Sequence, residues 1–388
     1  MNKKLMALAV AGAFAAPAAA LAQAEIYGRA NVGFNTYSAT GSTLGAGDFK
    51  TRNVVYDNGS RVGFRGNENL GGGLKAVYVI ETGVNIDTGT VNTQSGNTNT
   101  STGTWATRDS YAGLEGDWGR VTFGRQSIYW GEGVIAQSGT NYINVDVATT
   151  GALGRVVGPA ARTSNTVAYN SPTTSGMNFT VSYAPNSEAA LPGVETNAKI
   201  YGVTGRYFGV INGQVDYAVN EGTSGAATGT PKNSGFKLGV GYPYAPGAQI
   251  AVVYISEKND NLAAAIATFA NAGDSVKANA VIVNWEHTFG NIQGLAEVGK
   301  VQKATGCGVA NGCNGTDATA YMVAARYLLS KRTAVYASYN KIRNGSNNTM
   351  DISGGGASSA AAASGGFLPN GSQGADPQLV AVGIIHNF

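Results

Sequence analysis

After residue 24 the sequence has no apolar run long enough to cross a bilayer as a helix, which excludes a helical membrane protein. An excess of one charge is also lacking, because 26 Lys and Arg face 23 Asp and Glu, for a formal net charge of +3. No nucleic-acid partner is therefore expected. The signature motifs of nucleotide and metal sites are absent from the sequence too, so no cofactor is expected.

The first 24 residues have the pattern of a secretory signal peptide. Lys3 and Lys4 precede an alanine-rich apolar run, and Ala22-Gln23-Ala24 fits a small-x-small cleavage site. A retained transmembrane helix is the alternative, but Pro17 and the Ala-x-Ala end favour removal. The predicted domains are thus a signal peptide, 1–24, and a mature chain, 25–388, with a formal charge of about +1 (24 basic minus 23 acidic).

Cysteine occurs only twice, at Cys307 and Cys313, in the polar stretch KATGCGVANGCNGTD. In an exported chain this spacing predicts a local disulfide that closes a loop, with two free thiols as the alternative. A metal site there is not expected, because no histidine is near.

What the mature chain does have is alternation of apolar and polar residues, as in GMNFTVSYA, INGQVDYAV and RTAVYASY. This period of two predicts β-strands with one apolar and one polar face. The facing of 248–256 and 276–288 is uncertain, because both are more uniformly apolar. Sixteen segments fit a strand: about 25–37, 59–67, 74–82, 106–114, 119–127, 162–170, 176–184, 198–207, 210–220, 234–242, 248–256, 276–288, 291–301, 318–328, 332–341 and 378–388.

The connections between these segments alternate in length. Every second connection is short, for example EGDWG or SPTTS, whereas the others, such as 83–105, 127–161, 257–275 and 342–377, are long and polar. Short turns at one end and long loops at the other are typical of an outer-membrane β-barrel, whose strands alternate apolar-out and polar-in. A soluble β-sandwich has no reason for this regularity. Many tyrosines also fall near strand ends, where aromatic girdles form, although tyrosine is a good strand former in any sheet.

The chain ends in QLVAVGIIHNF, an alternation that runs into a terminal phenylalanine. Together with AEIYGRANVGF, SRVGFRGNENLGGGLKAVYVIETG, RDSYAGLEGDWGRVTFGRQ, RTSNTVAYNSP and YLLSKRTAVYASY, this ending resembles the general diffusion porins of Gram-negative bacteria, β-proteobacterial type. The matching stretches run from the first strand to the last. The resemblance implies an all-β fold, a 16-stranded antiparallel transmembrane barrel with short periplasmic turns and long extracellular loops.

By the same resemblance the protein would be a homotrimer in the cell outer membrane, surrounded by lipid and lipopolysaccharide. It would pass ions and small hydrophilic solutes by passive diffusion. The third long loop, 127–161, would fold into the pore and narrow it, facing a row of basic residues on the wall.

Strand parity then predicts which residues line the pore. If Val62 and Phe64 face lipid, Arg61 and Arg65 face the lumen, with Arg61 near mid-barrel and Arg65 at the periplasmic mouth. The same reading turns Lys75 inward and makes Asp109 and Arg125 lipid-facing, where a charge is costly unless a subunit contact covers it. The predicted constriction residues on the wall are Arg29, Arg61, Glu81, Arg108 and Arg162.

Across from this wall the loop offers Glu132 and Asp146. Basic residues on one side and acidic residues on the other would create a transverse field that separates cation and anion paths. Four arginines against Glu81, Glu132 and Asp146 leave about +1, a weak lean toward anions. The alternative is that these charges are ordinary residues of a polar lumen.

Three other functions stay open at this point. A sugar- or organic-anion-specific porin would need an aromatic track along the lumen, for which Trp105 and Trp130 are candidates. An enzyme is disfavoured, because the only histidines are His287 and His386, each late in a strand, and catalysis needs a histidine beside a nucleophile or an acid. A secreted adhesin or structural β-protein is the third.

Overall fold

The computed structural model describes residues 24–43, 47–92, 105–128, 162–185, 199–222, 231–262, 270–352 and 372–388. Within these ranges no helix is long and apolar enough to span a membrane. The predicted signal peptide up to residue 23 and residues 129–161 of the predicted constriction loop, with Glu132, Asp146 and Trp130, lie outside the described residues.

The described residues form eighteen strands in a single antiparallel sheet. In chain order the strands are β1 (Glu25–Thr40), β2 (Phe49–Asp57), β3 (Arg61–Gly71), β4 (Leu74–Asn85), β5 (Thr90–Asn92), β6 (Ser110–Gly116), β7 (Gly119–Ser127), β8 (Arg162–Asn170), β9 (Met177–Pro185), β10 (Lys199–Phe208), β11 (Asn212–Glu221), β12 (Lys232–Ala245), β13 (Ala248–Asp260), β14 (Val276–Phe289), β15 (Ile292–Val301), β16 (Ala318–Leu328), β17 (Thr333–Asn344) and β18 (Asp376–Asn387).

The sheet closes into a barrel because β1 pairs with β18 on one side and with β2 and β3 on the other. β2 and β3 pair with successive parts of β1, so they are one transmembrane strand interrupted at 58–60. β5 has three residues and forms a short antiparallel hairpin with the end of β4, so it is not a transmembrane strand of its own. Eighteen strands, less β5 and with β2 and β3 counted once, give the sixteen-stranded barrel that the sequence predicts, and that prediction is confirmed.

Two strand starts differ from the prediction by more than two residues. The second transmembrane strand begins at Phe49 rather than near 59, because residues 49–57 continue the pairing with β1. β6 begins at Ser110 rather than near 106, because residues 105–109 leave the ladder and Ala106 has a φ of 58°. Period-two patterns locate a strand well but not the residue where its hydrogen-bond ladder stops.

The two faces of the sheet have different surroundings. Outward-facing Phe34, Val252 and Val382 are 47%, 47% and 50% exposed, as lipid-facing residues of a barrel should be. Inward-facing neighbours such as Tyr37 and Val253 are 0% and 1% exposed, because strands and loops cover them. In β13 the facing that the sequence left uncertain is resolved, since Ile250, Val252 and Tyr254 alternate with buried Ala251 and Val253.

Part of the barrel interior is apolar. Inward residues of β13 to β18, among them Ile255, Ile282 and Ile342, form one buried cluster with Met350 and Ile352 from the connection after β17. Residues 345–352 thus fold inside the barrel rather than away from it. Tyr37 of β1 belongs to the same cluster, which lies in the extracellular half of the lumen.

Candidate functional site

Three of the predicted constriction residues come together on the inner wall formed by β1, β3 and β4. The register pairs Arg29 with Arg61 across β1 and β3, and it pairs Gly63 with Glu81 across β3 and β4. Directly paired residues point to the same face of a sheet. Three neighbouring strands therefore bring their charged side chains to about the same height on the inner wall.

Glu81 is the centre of this cluster. Its carboxylate accepts a hydrogen bond from the Tyr27 hydroxyl at 3.1 Å and lies 3.5 Å from Arg61 Nε. Arg108 Nε donates to the other carboxylate oxygen. Glu81 is 7% exposed, so one buried carboxylate holds two guanidinium groups side by side and lowers their mutual repulsion.

Tyr27 reaches Glu81 because the residue opposite it on β3 is Gly63. A Cβ at this position would come within 2.7 Å of Tyr27 Cζ, closer than real contacts allow. The guanidinium group of Arg65 lies over the Tyr27 ring, with its Cζ 4.8 Å from the ring centroid. Arg65 also donates two hydrogen bonds to the Glu25 carboxylate, at 2.8 and 2.9 Å.

Arg108 reaches the cluster from outside the regular ladder. Ser110 pairs with Ile80 and faces outward, so strict alternation would send Arg108 outward as well. Instead the irregular stretch 105–109 turns the chain, the Arg108 backbone N–H donates to the Glu81 carbonyl at 3.0 Å, and the guanidinium turns to the Glu81 carboxylate. The sequence predicted that Arg108 belongs to the constriction, but the bend that turns its side chain toward Glu81 is seen only in the structure.

For Arg162 and Asp109 the structure differs from the parity prediction. The register of β7 and β8 shifts between Gly124 and Gln126, and Asn165 has a φ of 57°. This extra residue in β8 pairs Arg162 with Ser127 and puts it on the face of Arg125 rather than on the buried face of Thr163. A bulge of this kind reverses the alternation beyond it.

The same bulge explains how the Asp109 charge is accommodated. Arg162 donates two hydrogen bonds to the Asp109 carboxylate, at 2.9 and 3.1 Å, and the Ser127 hydroxyl lies 3.0 Å from Oδ1. Arg125 Nε donates to the Thr107 carbonyl at 2.9 Å. The predicted cost of an isolated lipid-facing carboxylate therefore does not arise, since Asp109 is buried and paired.

The opposite wall of the described barrel carries carboxylates that the sequence reading did not single out. β12 and β13 lie across the ring from β3 and β4, with β11, β14 and β15 beside them. Inward-facing Glu257, Glu286 and Glu297 are 4%, 9% and 4% exposed, and Asp216 is paired in register with Lys237. In the sequence these carboxylates have the same parity as the inward-facing alanine, valine and isoleucine of their strands, and this shared parity was the signal that could have identified them. The lumen thus has the arginine cluster on one wall, whereas the other wall carries these carboxylates together with the inward-facing cations Arg206, Lys237 and Arg326.

Five described tyrosines face the lumen, on β1, β2, β6 and β17: Tyr27, Tyr37, Tyr56, Tyr111 and Tyr336. The other described tyrosines of the strands face outward, for example Tyr183 and Tyr242, which are 47% and 52% exposed. Trp105, a candidate from the sequence, is 62% exposed and lies in the irregular stretch before β6.

The two histidines lie on the outward face. His287 Nδ1 is 2.8 Å from the Tyr244 hydroxyl, and His386 Nδ1 is 2.9 Å from the Thr333 hydroxyl. No carboxylate or cysteine is among these contacts. Cys307 and Cys313 form the predicted disulfide, with Cα atoms 5.5 Å apart, and this prediction is confirmed.

Comparison with known proteins points to the same class of protein that the sequence resembles, the porins. A family model described as Gram-negative porin matches residues 7–347. The major outer membrane protein P.IB of Neisseria lactamica is 30% identical over 365 residues, which cover 91% of this chain and 97% of that protein.

Among solved structures, an anion-selective porin from Comamonas acidovorans superimposes with a TM-score of 0.69 at 20% identity, covering 95% of this chain and 100% of that one. The trimer form of OmpT, an outer membrane protein of Vibrio cholerae, gives a TM-score of 0.58 at 16% identity, covering 94% and 99%. These likenesses show the fold. With the family match and the full-length relative, they establish that the chain belongs to the Gram-negative porin family and is an outer-membrane diffusion channel.

Proposed function

We propose that this channel passes small hydrophilic solutes and ions with a weak preference for anions, and that Arg29, Arg61, Glu81 and Arg108 line its constriction. The observation that carries the proposal is the lumen-facing cluster, in which Arg61 and Arg108 share one buried carboxylate and Arg29 is paired in register with Arg61. The cluster keeps an excess of positive charge at one height of a narrow wet passage. Such a charge raises the local concentration of anions.

Glu132 and Asp146 belong to the same proposal as the acidic side of the constriction, on the loop 127–161. Arg162 is proposed to contribute to the constriction indirectly. Its guanidinium is held by the Asp109 carboxylate rather than by Glu81, and it neutralises the charge of Asp109. The wall carboxylates Glu257 and Glu286 would act on cations from the opposite side. The field would therefore run from wall to wall as well as from wall to loop.

The proposed assembly is a homotrimer in the outer membrane. The support is the relation to a porin family and the superposition on an outer membrane protein solved in trimer form. The exposed apolar side chains of the outer face would contact lipid and neighbouring subunits. Lysines that face outward at the extracellular strand ends, such as Lys258, Lys277 and Lys300, suit the phosphates of lipopolysaccharide.

The proposal is tested by the reversal potential of purified protein in a planar bilayer under a salt gradient. We expect conductance steps in triplets and anion selectivity. A unit charge acts with about 1 kcal/mol on an ion 4 Å away in water, so Arg61→Ala and Arg108→Ala should each lower the anion-to-cation permeability ratio severalfold. Lys331→Ala, in the exposed turn after β16, is the control and should change it little. Cation selectivity, or no effect of the arginine variants, would contradict the assignment.

A further inference from the structure

A cavity of about 490 Å³ opens inside the barrel at its periplasmic mouth, away from the Glu81 cluster. It lies beside the two short turns that join β3 to β4 and β6 to β7. Its walls are the inward side chains of β3, β4, β6 and β7. This volume is in the range of ligand sites for small molecules.

The charges of this cavity follow from the register. Lys75 on β4 pairs with Glu115 on β6, and Glu115 pairs with Arg120 on β7, so three charged side chains stand in a row across three strands. Among the residues that the structure describes, neither Lys75 nor Arg120 makes an ion pair or a hydrogen bond with its side chain. Arg65 is on the opposite edge, but its guanidinium is already held by Glu25. Two cations therefore face the cavity with one carboxylate between them.

The base of the cavity is apolar. Val77 of β4 lies one inward position above the charged row, and Val79 of β4 and Tyr111 of β6 lie two inward positions above it. The Arg120 guanidinium carbon is 5.8 Å from the centre of the Tyr111 ring. Cationic groups at one edge and an apolar surface beneath them match a molecule with an anionic end and an apolar body.

We propose that this cavity is a binding site for small organic carboxylates that carry an apolar or aromatic group. The carboxylate contacts Arg120 and Lys75, and the apolar body rests on Val77, Val79 and Tyr111. The inference rests on the proposed function and names one class of permeant solute that the mouth of the channel retains. Cleavage after Ala24, as predicted from the sequence, adds the α-amino group of Glu25 to the same cavity and increases its positive charge.

The test is a titration of benzoate into the solubilised mature protein, followed by saturation-transfer NMR. Because charge-assisted hydrogen bonds hold the carboxylate, Lys75→Gln/Arg120→Gln should raise the dissociation constant of benzoate about tenfold or more. Tyr111→Leu should weaken benzoate more than acetate, which lacks the ring. Benzyl alcohol, which has the ring but no charge, should bind no better to the native protein than to the double variant.

Two controls separate this site from others. Lys258→Gln/Lys277→Gln removes the same charge from the outward face and should leave benzoate binding unchanged. Arg61→Ala/Arg108→Ala tests the constriction and should also leave it unchanged. The inference is overturned if native protein does not bind benzoate, or if the constriction variant loses binding while Lys75→Gln/Arg120→Gln keeps it. Stepwise KCl conductance of the same preparations tests the proposed function separately, because a missing benzoate site leaves the conductance steps intact.

Discussion

Glu81 shows how one residue sets the electrostatics of a wet passage. Arg61 and Arg108 approach each other only because this carboxylate lies between them. The Tyr27 hydroxyl donates a further hydrogen bond to the same carboxylate. The carboxylate also reduces the net positive charge of the cluster. Loss of the Glu81 carboxylate would therefore increase anion selectivity and lower the stability of the folded barrel.

Glu81→Gln should make the channel more anion-selective, because the cluster then loses the one negative charge that Arg61 and Arg108 share. It should also lower the stability of the folded barrel by about 1–3 kcal/mol, since hydrogen bonds to charged groups contribute that much. Reversal potentials and the temperature at which the folded gel band is lost measure the two effects. Glu68→Gln, an exposed residue near the β3–β4 turn, is the control. If Glu81→Gln leaves the reversal potential unchanged, the cluster does not face the ion path.

At the scale of strands, small residues allow large ones to cross the inner wall. Tyr336 on β17 lies over Gly383 on β18 and Gly33 on β1, which are paired in register. The Tyr336 hydroxyl donates to Asn31 Oδ1 at 3.1 Å. A Cβ at Gly33 would approach the Val382 carbonyl to 2.8 Å. The ring thus ties together the strands where the barrel closes.

Gly383→Ala should destabilise the barrel by about 1–3 kcal/mol, the usual cost of an added methyl group in a packed site, because the new methyl group meets the Tyr336 ring. Gly213→Ala is the matched control on β11, where the nearest atom to the added Cβ is 3.9 Å away. Heat-modifiable migration on a gel compares the two variants. Equal melting of both variants would show that the ring moves aside without cost.

At the scale of the whole molecule, the extracellular loops and the barrel share one apolar cluster. Cys307 and Cys313, in the connection between β15 and β16, pack against the inner wall of β13 to β18. The Tyr37 hydroxyl of β1 donates to Asp351 of the next long connection. Loops fixed in this way narrow the extracellular half of the lumen.

Cys307→Ser/Cys313→Ser should lower stability by about 2 kcal/mol, because a short loop is no longer closed in the unfolded chain. Proteolysis should cut residues 305–315 faster, whereas the reversal potential should not change, since the loop is remote from Glu81. A reducing agent should reproduce the effect in the native protein and have none on the variant. A change of selectivity in the variant would place this loop in the ion path.

Much of the fold could be predicted from the sequence, because every second residue of a membrane-barrel strand faces lipid and is apolar. The apolar-out, polar-in period predicted sixteen strands, and unequal connections distinguished the two ends. Arg29, Arg61 and Glu81 could be assigned to the lumen by parity alone, because β1, β3 and β4 are regular where these residues occur. The disulfide followed from two cysteines six residues apart in an exported chain.

Only the tertiary structure decided what depends on breaks in that period and on contacts across the barrel. One extra residue at Asn165 changed the face of Arg162, and the bend at Ala106 turned Arg108 toward Glu81. The row of Lys75, Glu115 and Arg120 needed the register of three strands, which no single strand contains. A sequence specifies which face a residue prefers, whereas closing the sheet decides which residues meet.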